Sequence, residues 1–496
     1  MDPCDLTAVE ARRLIGAKAL SPTELLESCI ARIEAIDPAV NAIPIRDFAR
    51  ARQAASAADT AVARGEDLPL LHGLPIGIKD LQLTGGLRTT FGSPLFADWI
   101  PPDDERVVRA VRQAGAIIVG KTNVPEFGAG ANTRNAVLGA TGNPFDPAKS
   151  CAGSSGGSAV ALAAGMVPLC TGSDTGGSLR NPAAFCGIVG FRPAPGMVPT
   201  ERRVHGWTTL PVVGPMGRTV ADTSLLLAAM AGDAACDPLA ATLHGRTVRR
   251  PADVYPPAAI DLSRLRIALT PDFGFAPTER HIRDVFAEKT GLFRHVFARA
   301  EDATPDCAGT DEVFETLRAL VFLGSHAQKV QETPDKVGPN VRANVAQGQR
   351  YTAADVARAM STQTVLYHRW QSFFERYDII LTPAITLSPR SWRELYPAEI
   401  DGQPTRTYFH WLAMAYAVTI VGHPAISLPV GLDRNGMPFG LQIVGPRGGD
   451  ALVLQVAHAL ETLLPADPRT ARPVPDLAAL RRAPPISQAE GFLGFD

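Results

Sequence analysis

The chain has 496 residues, 46% hydrophobic and 20% charged, and its 48 basic residues nearly cancel its 50 acidic ones. That balance excludes a disordered chain and gives no electrostatic case for nucleic acid or an anionic membrane as partner. The longest apolar stretch, Ala159 to Cys170, is too short to span a bilayer and is broken by Gly165 and Pro168. The opening Met-Asp-Pro-Cys-Asp-Leu lacks a basic segment followed by an apolar one, so no secretory signal is visible. Seven scattered cysteines without a C-x-x-C pair suit reduced thiols in a cytoplasm better than a disulfide framework or a zinc cage. At about 150 residues per domain the length allows roughly three domains. No repeat or linker divides it, however, and a single domain over 1–496 is expected.

The first predicted helix covers 22–37, with Ser21 as N-cap, Pro22 at the first position, Glu24 completing a capping box and Asp37-Pro38 as the stop. An Ala/Arg-rich helix is expected over 46–64, then a short buried strand at Leu74–Ile78 that delivers Lys79-Asp80 at its end. A helix at 104–114 followed by the apolar strand Ala116–Val119 is an α/β signature. Between 150 and 200 Gly, Ser and Ala dominate, with a helical stretch from Ser158 to Gly165. Residues 235–275 read as a Pro-rich connector around a strand at 265–269, and 285–375 as mostly helical. Strands follow at 378–383, 425–429 and 439–445, the last two joined through the turn Asn435-Gly436. A helix over 451–464 and a Pro/Arg-rich tail from about 466 complete the chain.

Several motifs compete for the chemistry. Gly115 to Thr122 matches the P-loop expression, but its four variable residues, Ala-Ile-Ile-Val, are themselves the predicted strand. A phosphate loop needs a turn there. Gly153-Ser154-Ser155-Gly156-Gly157 matches a nucleophile elbow centred on Ser155, yet a loop precedes it where an elbow needs a strand. His423 and His458 stand in no context that marks a general base, and no metal-ligand spacing appears.

The Gly-Ser segment is more informative. In Asp174-Thr175-Gly176-Gly177-Ser178 two glycines precede a serine, and successive glycines can turn backbone N–H groups inward to form an anion-binding nest. A nest around a serine hydroxyl offers nucleophile and oxyanion hole on one turn, although taken alone the segment reads more simply as a Gly-rich turn with an N-capping serine before a short helix at Asn181-Pro182. Lys79, at the end of an apolar strand, has its pKa lowered by desolvation if it is buried and could then act as base; a solvated Lys-Asp strand end is the simpler alternative.

Gly77-Ile78-Lys79-Asp80, Ala152 to Ser158 and Gly172 to Arg180 together resemble the amidase signature family, with 75 residues from Lys79 to Ser154 and 24 from Ser154 to Ser178. Gly120-Lys121-Thr122-Asn123, Pro182 to Gly187, Gly422 to Pro429 and Gly440 to Gly445 look like family segments too. The core motifs then fall in 70–230 and 377–465, and the helical stretch of about 235–375 is the variable region. The resemblance implies an α/β/α domain, a mixed twisted sheet covered by helices on both faces. It implies a catalytic set of Ser178 as nucleophile, Ser154 as relay after a cis peptide bond, and Lys79 as base. The N–H groups of Thr175, Gly176, Gly177 and Ser178 would hold the oxyanion, and Ser155, Asp174 and Arg180 would support the shell. Cys151-Ala152 stands where many relatives carry a second glycine.

The implied reaction is hydrolysis of a small carboxylic amide, with no metal or organic cofactor; esters and carbamates are alternatives for the same triad. A glutaminyl-tRNA amidotransferase component is the rival with partners. Its relatives carry a Tyr- and Ser-rich stretch after the nucleophile loop, where this chain has Arg202 to Leu210. A homodimer is common in the family. The pocket is expected to be shaped by Gly128, Ala129, Gly130, Ala131 and Asn132, by the 203–213 segment around Trp207 and by the helical 315–375 region, with Phe322 and Trp411 as further candidate lining residues.

Overall fold

The computed structural model describes residues 2–232, 234–240, 242–243, 246–247 and 251–495, so part of the expected 235–275 connector lies outside the described residues. One eleven-stranded sheet organises the chain. Its strands are β1 (Ile45–Arg46), β2 (Pro75–Lys79), β3 (Ile117–Thr122), β4 (Leu169–Asp174), β5 (Val189–Arg192) and β6 (Val212–Gly217). They continue with β7 (Arg266–Leu269), β8 (Arg299–Asp302), β9 (Ile379–Pro383), β10 (Ala425–Leu432) and β11 (Pro438–Val444). The spatial order is β1-β3-β2-β4-β6-β5-β10-β11-β9-β7-β8. Strands β3, β2 and β4 run parallel, the centre from β4 to β9 is antiparallel, and β9, β7 and β8 are parallel again.

Both faces of this mixed sheet are covered. In β3, Ile117 and Val119 join one apolar core while Ile118 joins the other; in β9, Ile380 is in the first core and Ile379 and Leu381 are in the second. Strands buried on both sides read as continuous apolar runs, which is why these segments were legible as strands.

The helix over Pro22–Val40 has the expected capping box, but it runs past Pro38. Proline removes one backbone donor and crowds the carbonyl of Glu34 four residues back, but so close to the C-terminus the helix still continues for two residues beyond it. The stop is Asn41, which takes a left-handed conformation with its N–H on the Asp37 carbonyl, while the buried Asp37 carboxylate accepts the next N–H groups, from Ala42 at 2.5 Å and Ile43 at 3.3 Å.

Strand β6 carries Pro215 in the middle of the sheet, where proline is normally excluded. It is tolerated because β5 pairs with β6 only at Val189 and Gly190, opposite Gly217 and Met216, so the ladder on that side has ended before Pro215. Among the described residues no helix is long and apolar enough to cross a membrane.

Candidate active site

Strands β2 and β4 are parallel neighbours, so their C-terminal ends open on the same side of the sheet and bring Lys79 beside Ser173 and Asp174. The Lys79 backbone N–H donates to Thr171 Oγ1 at 3.1 Å, which fixes the end of β2 against β4. Its side chain is fully buried, 0% exposed, and points into a ring of hydroxyls: Nζ lies 2.8 Å from Ser154 Oγ, 2.7 Å from Ser155 Oγ and 2.9 Å from Ser173 Oγ. No carboxylate pairs with it among the described residues. Burial therefore drives its pKa well below the usual lysine value, against the weaker pull of the Asp174 charge. The solvated strand end is ruled out: the amine is buried among three hydroxyls, surroundings that favour its neutral form over its charged one.

Ser154 follows a cis peptide bond from Gly153, as the resemblance implied. Ser155 occupies the N-cap position of the helix Gly156–Ala163 but makes no capping bond; its hydroxyl serves Lys79 instead. Ser155 is completely buried and does not reach the cavity onto which Ser154, Ser173 and Ser178 open, which removes the elbow reading. No strand precedes it either, since residues 151–155 form a loop and bend.

Ser178 is 9% exposed and lines the cavity. The turn that carries it hangs on Asp174. The carboxylate accepts the Gly177 N–H at 2.9 Å and the Leu179 N–H at 3.2 Å, and it meets Arg180 Nε and Nη2 at 3.0 Å each and Arg192 Nη1 at 3.1 Å. Burial alone would raise the Asp174 pKa, but the two guanidinium groups and these hydrogen bonds outweigh it and hold the carboxyl ionised far below the usual range. Arg180 extends the network to Gln442 Oε1 on β11 at 2.6 Å, the Ala415 carbonyl at 2.9 Å and Thr419 Oγ1 at 3.1 Å.

Of the four N–H groups expected around an oxyanion, that of Gly177 is the one already engaged, by Asp174. Those of Thr175, Gly176 and Ser178 have no hydrogen-bond partner among the described residues. Gly177 has φ of +107°, and a Cβ there would sit 2.5 Å from that of Ala415, so only glycine closes this turn.

The cavity, about 430 Å³, is lined by Ser178 and by two groups of side chains. One is aromatic, with Phe91, Phe96, Trp99 and Phe127 in mutual edge and stacking contacts at 5.2–6.2 Å. The other is one face of the helix Thr310–Glu332, including Arg318, Phe322 and Lys329.

Of the expected pocket residues, Gly128 and Gly130 line it, and a Cβ on Gly128 would come within 3.3 Å of Ser154 Oγ. Ala131 lies in the core behind Gly153, and Ala129 packs against Phe322 and Val337 outside the cavity. Trp207 is 80% exposed: the turn is closed by Thr208 N–H on the His205 carbonyl, and while His205 and Thr208 line both the cavity and an adjoining surface groove, Trp207 lines only the groove. Trp411 is a core residue whose indole N–H donates to the Tyr408 carbonyl.

The sequence did not single out Ser173, the third hydroxyl on Lys79, Arg192, the second cation on Asp174, or the aromatic residues Phe91, Phe96, Trp99 and Phe127, and it gave Arg318 only as part of the 315–375 region expected to shape the pocket. Only Ser173 stood inside a quoted motif.

The sequence model of the Amidase family matches residues 24–454. The chain is 33% identical over 470 residues to an acylamidase of Rhodococcus erythropolis, covering 93% of this chain and 96% of that protein. It is also 33% identical over 488 residues to a glutamyl-tRNA(Gln) amidotransferase subunit of Alkaliphilus metalliredigens, covering 92% and 96%. Among solved structures it is similar to a bacterial aryl acylamidase of the amidase signature enzymes, with TM-score 0.85, 26% identity and coverage of 93% and 96%. Family model, near-complete relatives and fold agree with the serine–lysine geometry: this chain belongs to the amidase family and is an amidohydrolase acting on carbon–nitrogen bonds.

Proposed function

We propose that the enzyme hydrolyses a carboxylic amide through an acyl-enzyme on Ser178, with Ser154 as proton relay and Lys79 as base. The observation that carries this is the buried Lys79 amine, without a counter-ion among the described residues and 2.8 Å from the Ser154 hydroxyl that opens on the Ser178 cavity. Ser178 Oγ attacks the carbonyl carbon as its proton passes to Ser154 and the Ser154 proton passes to Lys79 Nζ. The free N–H groups of Thr175, Gly176 and Ser178 receive the oxyanion. The lysine proton then returns through Ser154 to the leaving nitrogen, the C–N bond breaks, and water repeats the relay to release the acid.

Peptide mapping after treatment with a fluorophosphonate tests this. An adduct on Ser178, absent from Ser178→Ala, is expected. An adduct on Ser155 in its place would contradict the assignment, and no adduct in a folded sample would remove the nucleophile altogether. Ser173→Ala tests the hydroxyl ring. It removes an acceptor for the protonated amine, so the Lys79 pKa falls further and the acid limb of the kcat/KM profile moves to lower pH. The maximum should drop by roughly 2- to 10-fold, the worth of one hydrogen bond. An unmoved limb would mean that Ser173 does not hold the amine.

A further inference from the structure

Among the described residues five arginines are buried, and four have their charge or donors satisfied. Arg180 and Arg192 face Asp174, Arg32 faces Asp2 and Asp5, and Arg218 donates to three backbone carbonyls. Arg318 differs. It is 5% exposed and lines the Ser178 cavity, yet no carboxylate among the described residues pairs with it. Its hydrogen bond runs from Nη2 to the Tyr408 hydroxyl at 2.6 Å, and its Nε is buried without a partner. Four rings, of Phe314, Phe322, Tyr408 and Phe409, surround the guanidinium at 4.6–5.9 Å. Aromatic faces stabilise a cation but do not satisfy its donors. A buried guanidinium without an anion is costly and is retained where an anion arrives.

Its position relative to the chemistry is set by the helix Thr310–Glu332. The Phe314 ring lies against the oxyanion turn, since a Cβ on Gly176 would meet its Cζ at 3.0 Å. Arg318 is the next residue on that face, one turn or about 6 Å further along the wall. Phe322 and then Lys329 continue the cavity wall towards the other end of the helix, and Lys329 likewise has no carboxylate partner among the described residues. The other cavity arginines are committed, Arg202 to Glu105 at 3.1 Å and Arg203 to Asp237 at 2.9 Å. The aromatic residues Phe91, Phe96, Trp99 and Phe127 line the same cavity, and Phe127 packs on His326 of this helix at 4.6 Å with Lys329 Nζ 6.0 Å from its ring.

We propose, resting on the amidase reading, that the substrate is an amide whose flat apolar body carries a carboxylate about one ring's length from the scissile carbonyl. The carbonyl sits at Ser178, the ring lies along the aromatic wall, and the carboxylate closes on the Arg318 guanidinium, which offers the planar fork that such an anion fits. Hydrolysis then proceeds as above and releases the carboxylate-bearing fragment as the amine or as the acid.

The test compares two pairs of probes that differ only in charge. The first is 4-acetamidobenzoate against 4-nitroacetanilide, with the anion on the amine side. The second is 4-carbamoylbenzoate against 4-nitrobenzamide, with the anion on the acyl side. Intrinsic reactivity cancels when the kcat/KM ratio within a pair is compared between wild type and Arg318→Met. In at least one pair the carboxylate-to-nitro ratio is expected to fall by 30-fold or more, with Arg318→Lys intermediate. A change under threefold in both pairs overturns the assignment and leaves Arg318 as a ring-packed structural residue.

Wild type alone gives a second readout that does not depend on the variant folding. Terephthalate should slow fluorophosphonate labelling of Ser178 competitively, and 1,4-dinitrobenzene of the same shape should not. Equal protection by the two again overturns the proposal. If Ser178 labels and the nitro amides are hydrolysed with no advantage for the anion, only the role of Arg318 falls. If Ser178 takes no probe and no amide is cleaved, the hydrolase reading falls with it.

Discussion

Lys79→Met lowers kcat/KM by between about 10² and 10⁴, the usual contribution of a general base, and slows fluorophosphonate labelling of Ser178 in proportion. Methionine fills most of the space of the lysine stem and leaves Ser154, Ser155 and Ser173 to bond with one another. The loss is therefore chemical, and circular dichroism should show a folded protein.

The pH dependence identifies the base. Burial places the Lys79 pKa well below 10.5, so the wild-type profile rises on an acid limb far below that of free lysine, and this limb disappears in the variant. A stability signature accompanies it. Between its depressed folded pKa and 10.5 the unfolded chain binds a proton on Lys79 that the folded chain does not, so folded stability rises with pH across that window. The melting temperature of wild type should therefore gain on that of Lys79→Met as the pH is raised from 7 towards 10. A constant difference over that range would mean that the buried amine is charged, and a charged amine cannot act as the base.

The second large effect belongs to Asp174→Asn. The substitution preserves shape but leaves Arg180 and Arg192, both fully buried, without the charge that holds them. Breaking a buried pair in this way costs about 3–5 kcal/mol, to be read from the midpoint of urea unfolding. The Gly177 and Leu179 N–H groups lose strength in their acceptor at the same time, so Ser178 labelling should slow as well. In wild type the sign with pH is the ordinary carboxylate one. The contribution of Asp174 is fully present above about pH 4 and erodes only as acid approaches its much lower folded value. A destabilisation under 1 kcal/mol with unchanged labelling would mean that the turn is held by something other than this carboxylate.

The two substitutions also mark what could be read without coordinates. Lys79, Ser154 and Ser178 lie at the ends of short apolar or Gly-Ser runs, where local composition already announces a strand end and a backbone nest. Strand β2 was legible from its apolar run. Strands β4, β5 and β6 were not, because Gly172, Gly190, Gly214 and Pro215 interrupt them, and only pairing across the sheet makes strands of such segments.

The commitment of the Gly177 N–H to Asp174 depends on a side-chain orientation that spacing does not encode. The cavity was the least legible part. Phe91 to Phe127 and Arg318 to Lys329 are far apart in sequence and meet only through the fold, while Trp207, attractive by composition, is turned outward by its neighbours. Arg318 gave no signal of its own because an arginine inside a helix is ordinary, and it becomes informative only through the absence of a carboxylate around it among the described residues.

The reach of Arg180 bears on synthesis from the ribosome. Lys79, Ser154 and Ser178 have all been translated once residue 178 is added, but the Gln442 that fixes Arg180 follows 262 residues after that arginine, with Ala415 and Thr419 shortly before it. At about 5–20 residues per second that is a delay of roughly 13–50 s, during which the nascent chain carries all three proposed reacting groups without the contacts that hold Arg180. Hydrolytic competence thus arrives late in translation, when β10 and β11 enter the middle of the sheet, and a stalled chain ending before them should remain silent towards the fluorophosphonate.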